Sequence, residues 1–263
     1  MIERKDLALL TGWGLGKAVW EPFVERLGER FRPRVFDLRD YWLAADGGAL
    51  SEQALARLAT RIPVGAHVLG WSLGGMLAIR LAAGWPGRFS SLSLVATNAV
   101  FRQRGDWRAA MPRAQFERFR ESFRMSPAET LRQFVGLMFV GAPQARRWSR
   151  WLLDSGAVAA LPENELEWGL QRLDSLDVRQ SLAAVDAPVM VIQGDRDKVT
   201  PPDAVKALAG LNPAVEAVSI ASAGHAPFLS HADEVEAALR AFWRRPVSGV
   251  GVVNGKRDES YSA

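Results

Sequence analysis

The chain has 263 residues, 48% hydrophobic and 24% charged, a globular mixture that excludes a disordered, collagen-like or mucin-like polymer. Thirty-three Lys and Arg stand against 29 Asp and Glu, a net charge of +4 that is too small to point to nucleic acid by itself. With no cysteine, disulfides, thiolate metal sites, iron–sulfur clusters and a cysteine nucleophile are excluded.

The first residues, Met1 to Asp6, are largely polar and lead into only a brief apolar run, so no secretory signal is expected. No apolar run is long enough to span a bilayer, and the expected location is the cytoplasm. Leu7 to Thr11 reads as a strand and Trp20 to Leu27 as a helix. Arg34 to Asp37 is a short strand. Leu50 to Ala59 is helical, with Leu50, Ala54, Leu55 and Leu58 on one side. Ala66 to Leu69 is a strand, Leu73 to Ala83 an apolar helix, and Leu92 to Ala96 another strand. Residues 101–187 are mainly helical and contain no strong strand. Pro188 to Gln193 and Val215 to Ile220 complete the strands, and Ala232 to Trp243 is the last helix.

Repeated strand–helix units predict an α/β fold: a mostly parallel central sheet flanked by helices. Residues 1–100 and 188–246 form the expected core, and residues 101–187 an inserted helical cap over the end of the sheet where ligands bind. The aromatic residues of the insertion either pack its helices together or line an acyl pocket. Residues 247–263, rich in Gly, Ser and charge, are expected to form a flexible tail.

Gly70-Trp71-Ser72-Leu73-Gly74 has the G-x-S-x-G form, between a predicted strand and a predicted helix. That context makes Ser72 a candidate nucleophile. A serine needs a base, and the chain has three histidines. His67 lies inside the strand before Ser72 and reads as structural. His231 reads as a capping or packing residue. His225 follows the last strand, in a loop able to reach back over Ser72. The loop after the penultimate strand offers Asp195 and Asp197 as orienting acids; Asp197, deeper in the loop, is favoured. The order Ser72, Asp197, His225 is the nucleophile–acid–base order of one hydrolase fold. The backbone N–H groups of Trp13 and Leu73 are candidate oxyanion donors, with Gly12 and Gly14 leaving the first loop room to approach. The histidines are too dispersed for a zinc site, and no cofactor is expected.

These residues resemble the α/β-hydrolases. The segments Leu9-Leu10-Thr11-Gly12-Trp13-Gly14-Leu15, Leu69-Gly70-Trp71-Ser72-Leu73-Gly74-Gly75 and His225-Ala226-Pro227-Phe228-Leu229-Ser230-His231 are similar to those of the pimeloyl-acyl-carrier-protein methyl ester esterases of biotin synthesis. A weaker likeness runs through Leu176 to Leu182. The resemblance implies a serine carboxylesterase that releases methanol from a pimeloyl methyl ester held on acyl-carrier protein. It supports Ser72, Asp197 and His225 as catalytic residues and Trp13 and Leu73 as oxyanion donors. Trp13, Trp71, Phe134 and Phe139 are the candidate substrate-contacting side chains. The alternatives are a general short-chain carboxylesterase or thioesterase, and a catalytically silent carrier-protein binder. A monomer is expected.

The chain departs from the family pattern in three places. It starts almost on its first strand, so the antiparallel edge strand that usually comes before it is expected to be missing or rearranged. Thr11 replaces the histidine common before the Gly-Trp turn. Asp37 to Tyr41 lacks the usual Pro-Gly-x-Gly turn, which affects one expected pocket wall.

Residues 101–150 hold eleven arginines, no lysine and four acidic residues, a local net of +7. Such a cap would attract an acidic carrier protein and its phosphate. Arg113, Arg118, Arg120, Arg124, Arg132, Arg146, Arg147 and Arg150 are the docking candidates; the alternative is a solvated helical face. No nucleic-acid module is present.

Overall fold

The computed structural model describes residues 4–38, 52–158 and 162–244. Six strands among them form one parallel sheet: β1 (Lys5–Leu10), β2 (Phe31–Phe36), β3 (His67–Trp71), β4 (Ser91–Val95), β5 (Val189–Gly194) and β6 (Val215–Ile220). Their order is β2-β1-β3-β4-β5-β6. Every residue of β3, β4 and β5 is buried, so their apolar runs need not alternate. Successive side chains feed two different layers. Ala8, Leu10 and Val68 join one apolar core; Leu7, Leu9, Leu69 and Trp71 join the other, with Trp20, Phe23, Phe228 and Trp243.

The edge strand β2 is longer than the sequence pattern indicates. Its outward Arg32 and Arg34 and its Pro33 mask the apolar signal, and an edge position tolerates the proline. The described residues contain no antiparallel strand in the sheet.

The helices are α1 (Glu21–Leu27), α2 (Glu52–Arg61), α3 (Leu73–Gly84), α4 (Arg113–Met125), α5 (Pro127–Met138), α6 (Ala145–Asp154), α7 (Glu163–Ser175), α8 (Arg179–Ala183), α9 (Ala204–Leu211), α10 (Pro227–Ser230) and α11 (Ala232–Trp243). Leu50, expected to start the second helix, lies outside the described residues, as do the segment after Leu38 and the expected 247–263 tail. Helices α9 and α10 have no counterpart in the sequence reading. The first is short and follows the loop holding Asp197; the second is a single turn begun by Pro227.

Among the described residues, five helices, α4 to α8, lie between β4 and β5. The two ends of this insertion are tied together. Arg102 pairs with Asp174 and Arg104 with Asp177 (3.3 Å), while Arg179 joins Asp177 (2.6 Å) and Asp106 (2.7 Å). A β-bridge from Val100 to Asp177 adds a backbone link. The Arg179 guanidinium holds the Asp106 and Asp177 carboxyls below the usual range.

Strand order reverses between β1 and β3, since the chain runs from β1 to one side and then returns to the other. Open parallel sheets bind ligands beyond the carboxyl ends of their strands at such a point. Gly12-Trp13-Gly14 leaves β1 there, and Ser72 leaves β3.

Candidate active site

Ser72 sits between the end of β3 and the start of α3 with φ 54° and ψ −119°, a conformation that costs an L-residue about 1–3 kcal/mol. The turn closes only because its neighbours lack side chains. A Cβ on Gly70 would lie 2.6 Å from the Gly74 carbonyl oxygen, and one on Gly74 would strike the carbonyl of Thr11. The turn is pinned by Ser72 N–H donating to Val95 O at 2.9 Å, and by Ser72 O accepting from Gly75 N–H at 3.0 Å. The Leu73 and Gly74 amides, the first two of α3, have no carbonyl one turn back within the helix to bond.

His225 is fully buried. Its Nδ1–H donates to Asp197 Oδ2 at 2.8 Å. Its backbone is fixed on both sides: the N–H donates to Met138 O (2.7 Å), and the carbonyl accepts from Trp71 Nε1 (2.8 Å). Asp197 is also buried, and both its oxygens are occupied. Oδ1 accepts from the Val199 and Thr200 amides at 2.7 and 3.0 Å, and Oδ2 from Gln193 Nε2 at 2.9 Å as well as from His225. Of the two aspartates in this loop, Asp197 meets the histidine, while Asp195 faces solvent. Gln193, which the sequence reading did not single out, holds the carboxylate from β5. The available signal was a polar residue near the carboxyl end of an otherwise apolar strand.

An imidazole donating through Nδ1 presents a lone pair at Nε2. That atom is buried and has no hydrogen-bond partner among the described residues, Ser72 Oγ included. Such bonds are often long before substrate binds and tighten in its complex.

Ser72 opens into a narrow cavity of about 60 Å³. By volume it holds roughly four to six waters. Its walls include Trp13, Phe101, Phe116, Phe119, Phe134 and Leu173. Trp13 stands edge-on to Phe119, Phe123 and Phe134, with centroids 5.6, 5.9 and 5.2 Å away. Its indole N–H donates to Leu166 O at 2.9 Å. Thr11, where the family pattern has histidine, accepts from Leu38 N–H at 3.4 Å and so braces the neighbouring loop.

Two expected substrate contacts lie elsewhere. Trp71 is the last residue of β3, and strand alternation turns its ring to the opposite core layer, against Trp20 and Phe228. Phe139 follows α5 and is fully buried in that same layer. Neither lines the Ser72 cavity.

The eight candidate docking arginines divide in two. Arg113 pairs with Glu117, Arg120 with Asp174 and Glu167, Arg124 with Glu167, and Arg132 with Glu129. Arg118, Arg146, Arg147 and Arg150 are exposed and have no carboxylate partner among the described residues. The last three line an open groove along α6, with Trp151 and Asp154.

The other two histidines are placed differently. His231 Nδ1 and Ser230 Oγ are 2.9 Å apart at the start of α11. His67 Nδ1 and Ser91 Oγ are 2.8 Å apart, both buried, at the amino ends of β3 and β4. Burial first, and then the Lys5 charge, push the His67 imidazole down to about 4. No group of three or more His, Asp or Glu among the described residues is placed to hold a metal. No helix among them is long and apolar enough to cross a membrane.

The fold is shared widely. An esterase from Exiguobacterium antarcticum superposes with a TM-score of 0.80 at 17% identity, covering 93% of this chain and 94% of its own. A bromoperoxidase from Bacillus anthracis does so at 0.79 and 19%, covering 92% of each. Sequence gives a narrower kinship. A pimeloyl-acyl-carrier-protein methyl ester esterase from Sodalis glossinidius is 37% identical over 231 residues, 86% of this chain and 89% of that protein. One from Stenotrophomonas maltophilia is 36% identical over 246 residues, 90% of this chain and 92% of its own. The model of the alpha/beta hydrolase family matches residues 7–238. By its strand order, its strained serine turn and this kinship, the chain belongs to the α/β-hydrolases and, within them, to the family of the pimeloyl-acyl-carrier-protein methyl ester esterases.

Proposed function

We propose that the chain is a serine carboxylesterase that hydrolyses the methyl ester of pimeloyl-acyl-carrier protein to methanol and the free carboxylate. The observation that carries this reading is the buried Asp197–His225 bond, which leaves Nε2 unpartnered among the described residues, together with a Ser72 that lines an apolar cavity. Ser72 Oγ attacks the ester carbonyl while His225 Nε2 takes its proton. Asp197 holds the Nδ1–H tautomer and supports the positive charge that develops. The Trp13 and Leu73 amides receive the oxyanion, each worth about 3 kcal/mol in the transition state. His225 then protonates the departing methoxide. A water attacks the acyl-enzyme by the same route, giving its proton to His225, which returns it to Ser72 as the acid leaves. The residues present suffice for this chemistry without a cofactor.

Trp13 and Phe134 form the walls against which the methylene chain lies. The carrier docks on Arg118, Arg146, Arg147 and Arg150, which have no carboxylate partner among the described residues. The enzyme acts as a cytoplasmic monomer.

Methanol release from the carrier-linked ester and from free dimethyl pimelate tests this directly. A strong preference for the carrier-linked ester, weakened by salt and by Arg146→Glu with Arg147→Glu, is expected. Equal rates on both esters, indifferent to charge reversal, would leave a general short-chain esterase. An enzyme inert towards both, with Ser72 unlabelled by a fluorophosphonate, would leave a carrier-binding protein without catalysis.

A further inference from the structure

Strand β5 reads Val189-Met190-Val191-Ile192-Gln193-Gly194 and is buried along its whole length. Its one polar side chain, Gln193, is 1% exposed. A buried carboxamide is costly unless both of its ends are bonded, and here only one is. Nε2 faces three oxygens and donates to Asp197 Oδ2 at 2.9 Å and Thr200 O at 3.1 Å, with Gly194 O at 3.4 Å. Oε1 is buried with no partner among the described residues. The reverse orientation would turn that oxygen towards a carboxylate and two carbonyls, so the surroundings fix which end is which. A side chain there for packing alone would serve better as methionine or leucine, with no oxygen left unbonded.

The bonds close a ring. Thr200 accepts from Gln193 at its carbonyl and donates its own N–H to Asp197 Oδ1 at 3.0 Å. Its hydroxyl donates to Ala96 O at 3.1 Å, which ties the ring to the residue after β4. A carboxylate has about four lone-pair sites, and on Asp197 each oxygen receives two donors. Oδ1 takes the Val199 and Thr200 amides; Oδ2 takes Gln193 and His225. Besides the histidine, then, only Gln193 holds Oδ2. Without it, the place of Oδ2 would be set by the very imidazole it has to orient. We infer that Gln193 is a positioning residue for the reaction: it fixes Asp197 Oδ2 from β5, so that the carboxylate directs His225 and not the reverse. The inference rests on the proposed roles of Asp197 and His225 and adds a fourth side chain behind them. Gln193 is not among the residues lining the Ser72 cavity, so its loss should fall on kcat and spare KM.

The test is a double-mutant cycle between Gln193 and Asp197. Gln193→Met, close in shape and without a donor, should lower kcat on dimethyl pimelate about tenfold with KM within about twofold, the loss of one hydrogen bond to a charged group. The rate at which a fluorophosphonate labels Ser72, which needs the base but no particular acyl chain, should fall in parallel. In an Asp197→Asn background the same substitution should change either rate by less than about twofold, because the group it acts through is gone. Gln193→Leu, a second residue without a donor, carries the same cycle if the methionine variant folds poorly. A loss that persists undiminished in the Asp197→Asn background would mean general damage to the fold and would overturn the positioning role, as would a folded Gln193→Met enzyme with wild-type rates. Either result leaves the esterase reading intact as long as Asp197→Asn alone removes activity. An Asp197→Asn enzyme with wild-type rates would overturn both.

Discussion

Two of the three buried histidines, His225 and His67, lie at opposite ends of one sheet, and their ring nitrogens are held in different ways. At the carboxyl end, His225 is anchored by a carboxylate on Nδ1, and its buried Nε2 has no partner among the described residues. At the amino end, His67 spends Nδ1 on Ser91 itself. Its ring lies flat on Trp243 at 5.5 Å, and Trp243 in turn donates to Ser93 Oγ at 3.1 Å. Lys5 closes that network by donating to the Trp243 carbonyl at 2.6 Å. His67 has a serine and a tryptophan around it, no carboxylate bonded to it among the described residues, and a positive charge nearby that opposes its protonation. A hydrogen-bonded serine and histidine are therefore insufficient as a signature. What separates the pairs is the strand end they occupy and the charge that faces the imidazole.

The sharpest way to break this comparison is to delete each serine. Ser72→Ala should lower kcat on a methyl ester by at least about a thousandfold, while Ser91→Ala stays within a few-fold of wild type. Loss of turnover in the Ser91 variant with the Ser72 variant active would reverse the assignment. Asp197→Asn should keep the fold and lower kcat by about ten thousandfold, because an amide at that position reverses the preferred imidazole tautomer. A rate near wild type would remove Asp197 from the mechanism.

The amino-end pair should show itself in stability. His67 binds its proton at about 4 in the folded protein and near 6.5 when unfolded. As pH falls from 6.5 towards 4, the unfolded chain takes up a proton that the native state refuses. Stability is then lost over that window, by roughly 3 kcal/mol at its lower end. Urea unfolding at a series of pH values measures it, and His67→Gln should flatten that part of the slope. An unaltered slope in the variant would place the acid sensitivity elsewhere.

Much of this was legible from local spacing. The serine turn needs glycines within two residues on either side, so its mark is contiguous in the chain. The loops that present Asp197 and His225 each follow a strand, and that periodic record survives in the sequence. Other features were hidden because they depend on distant partners. The carboxylates of Arg120 and Arg124 stand 43 to 54 residues further along the chain, so their neutralisation leaves no local trace. The facing of Trp71 is decided by a single step of strand alternation, beside a turn where alternation ends. The clasp of Gln193 on Asp197 required knowing how the loop folds back on β5.

The pairing of Arg102 with Asp174, and of Arg104 and Arg179 with Asp177, has a broader consequence. It brings the departure and return points of the insertion together, so the α4–α7 segment leaves and rejoins the sheet through one seam. A segment whose ends already meet can change length at a small entropic cost, about 0.6 kcal/mol for each doubling of a flexible loop. Its composition can then drift, and the cavity it lines with it, while the strands that precede Asp197 and His225 keep their register. The walls of the cavity and the frame that holds Asp197 and His225 are thereby separable parts of one fold, the first tolerant of change in length and the second fixed by the sheet.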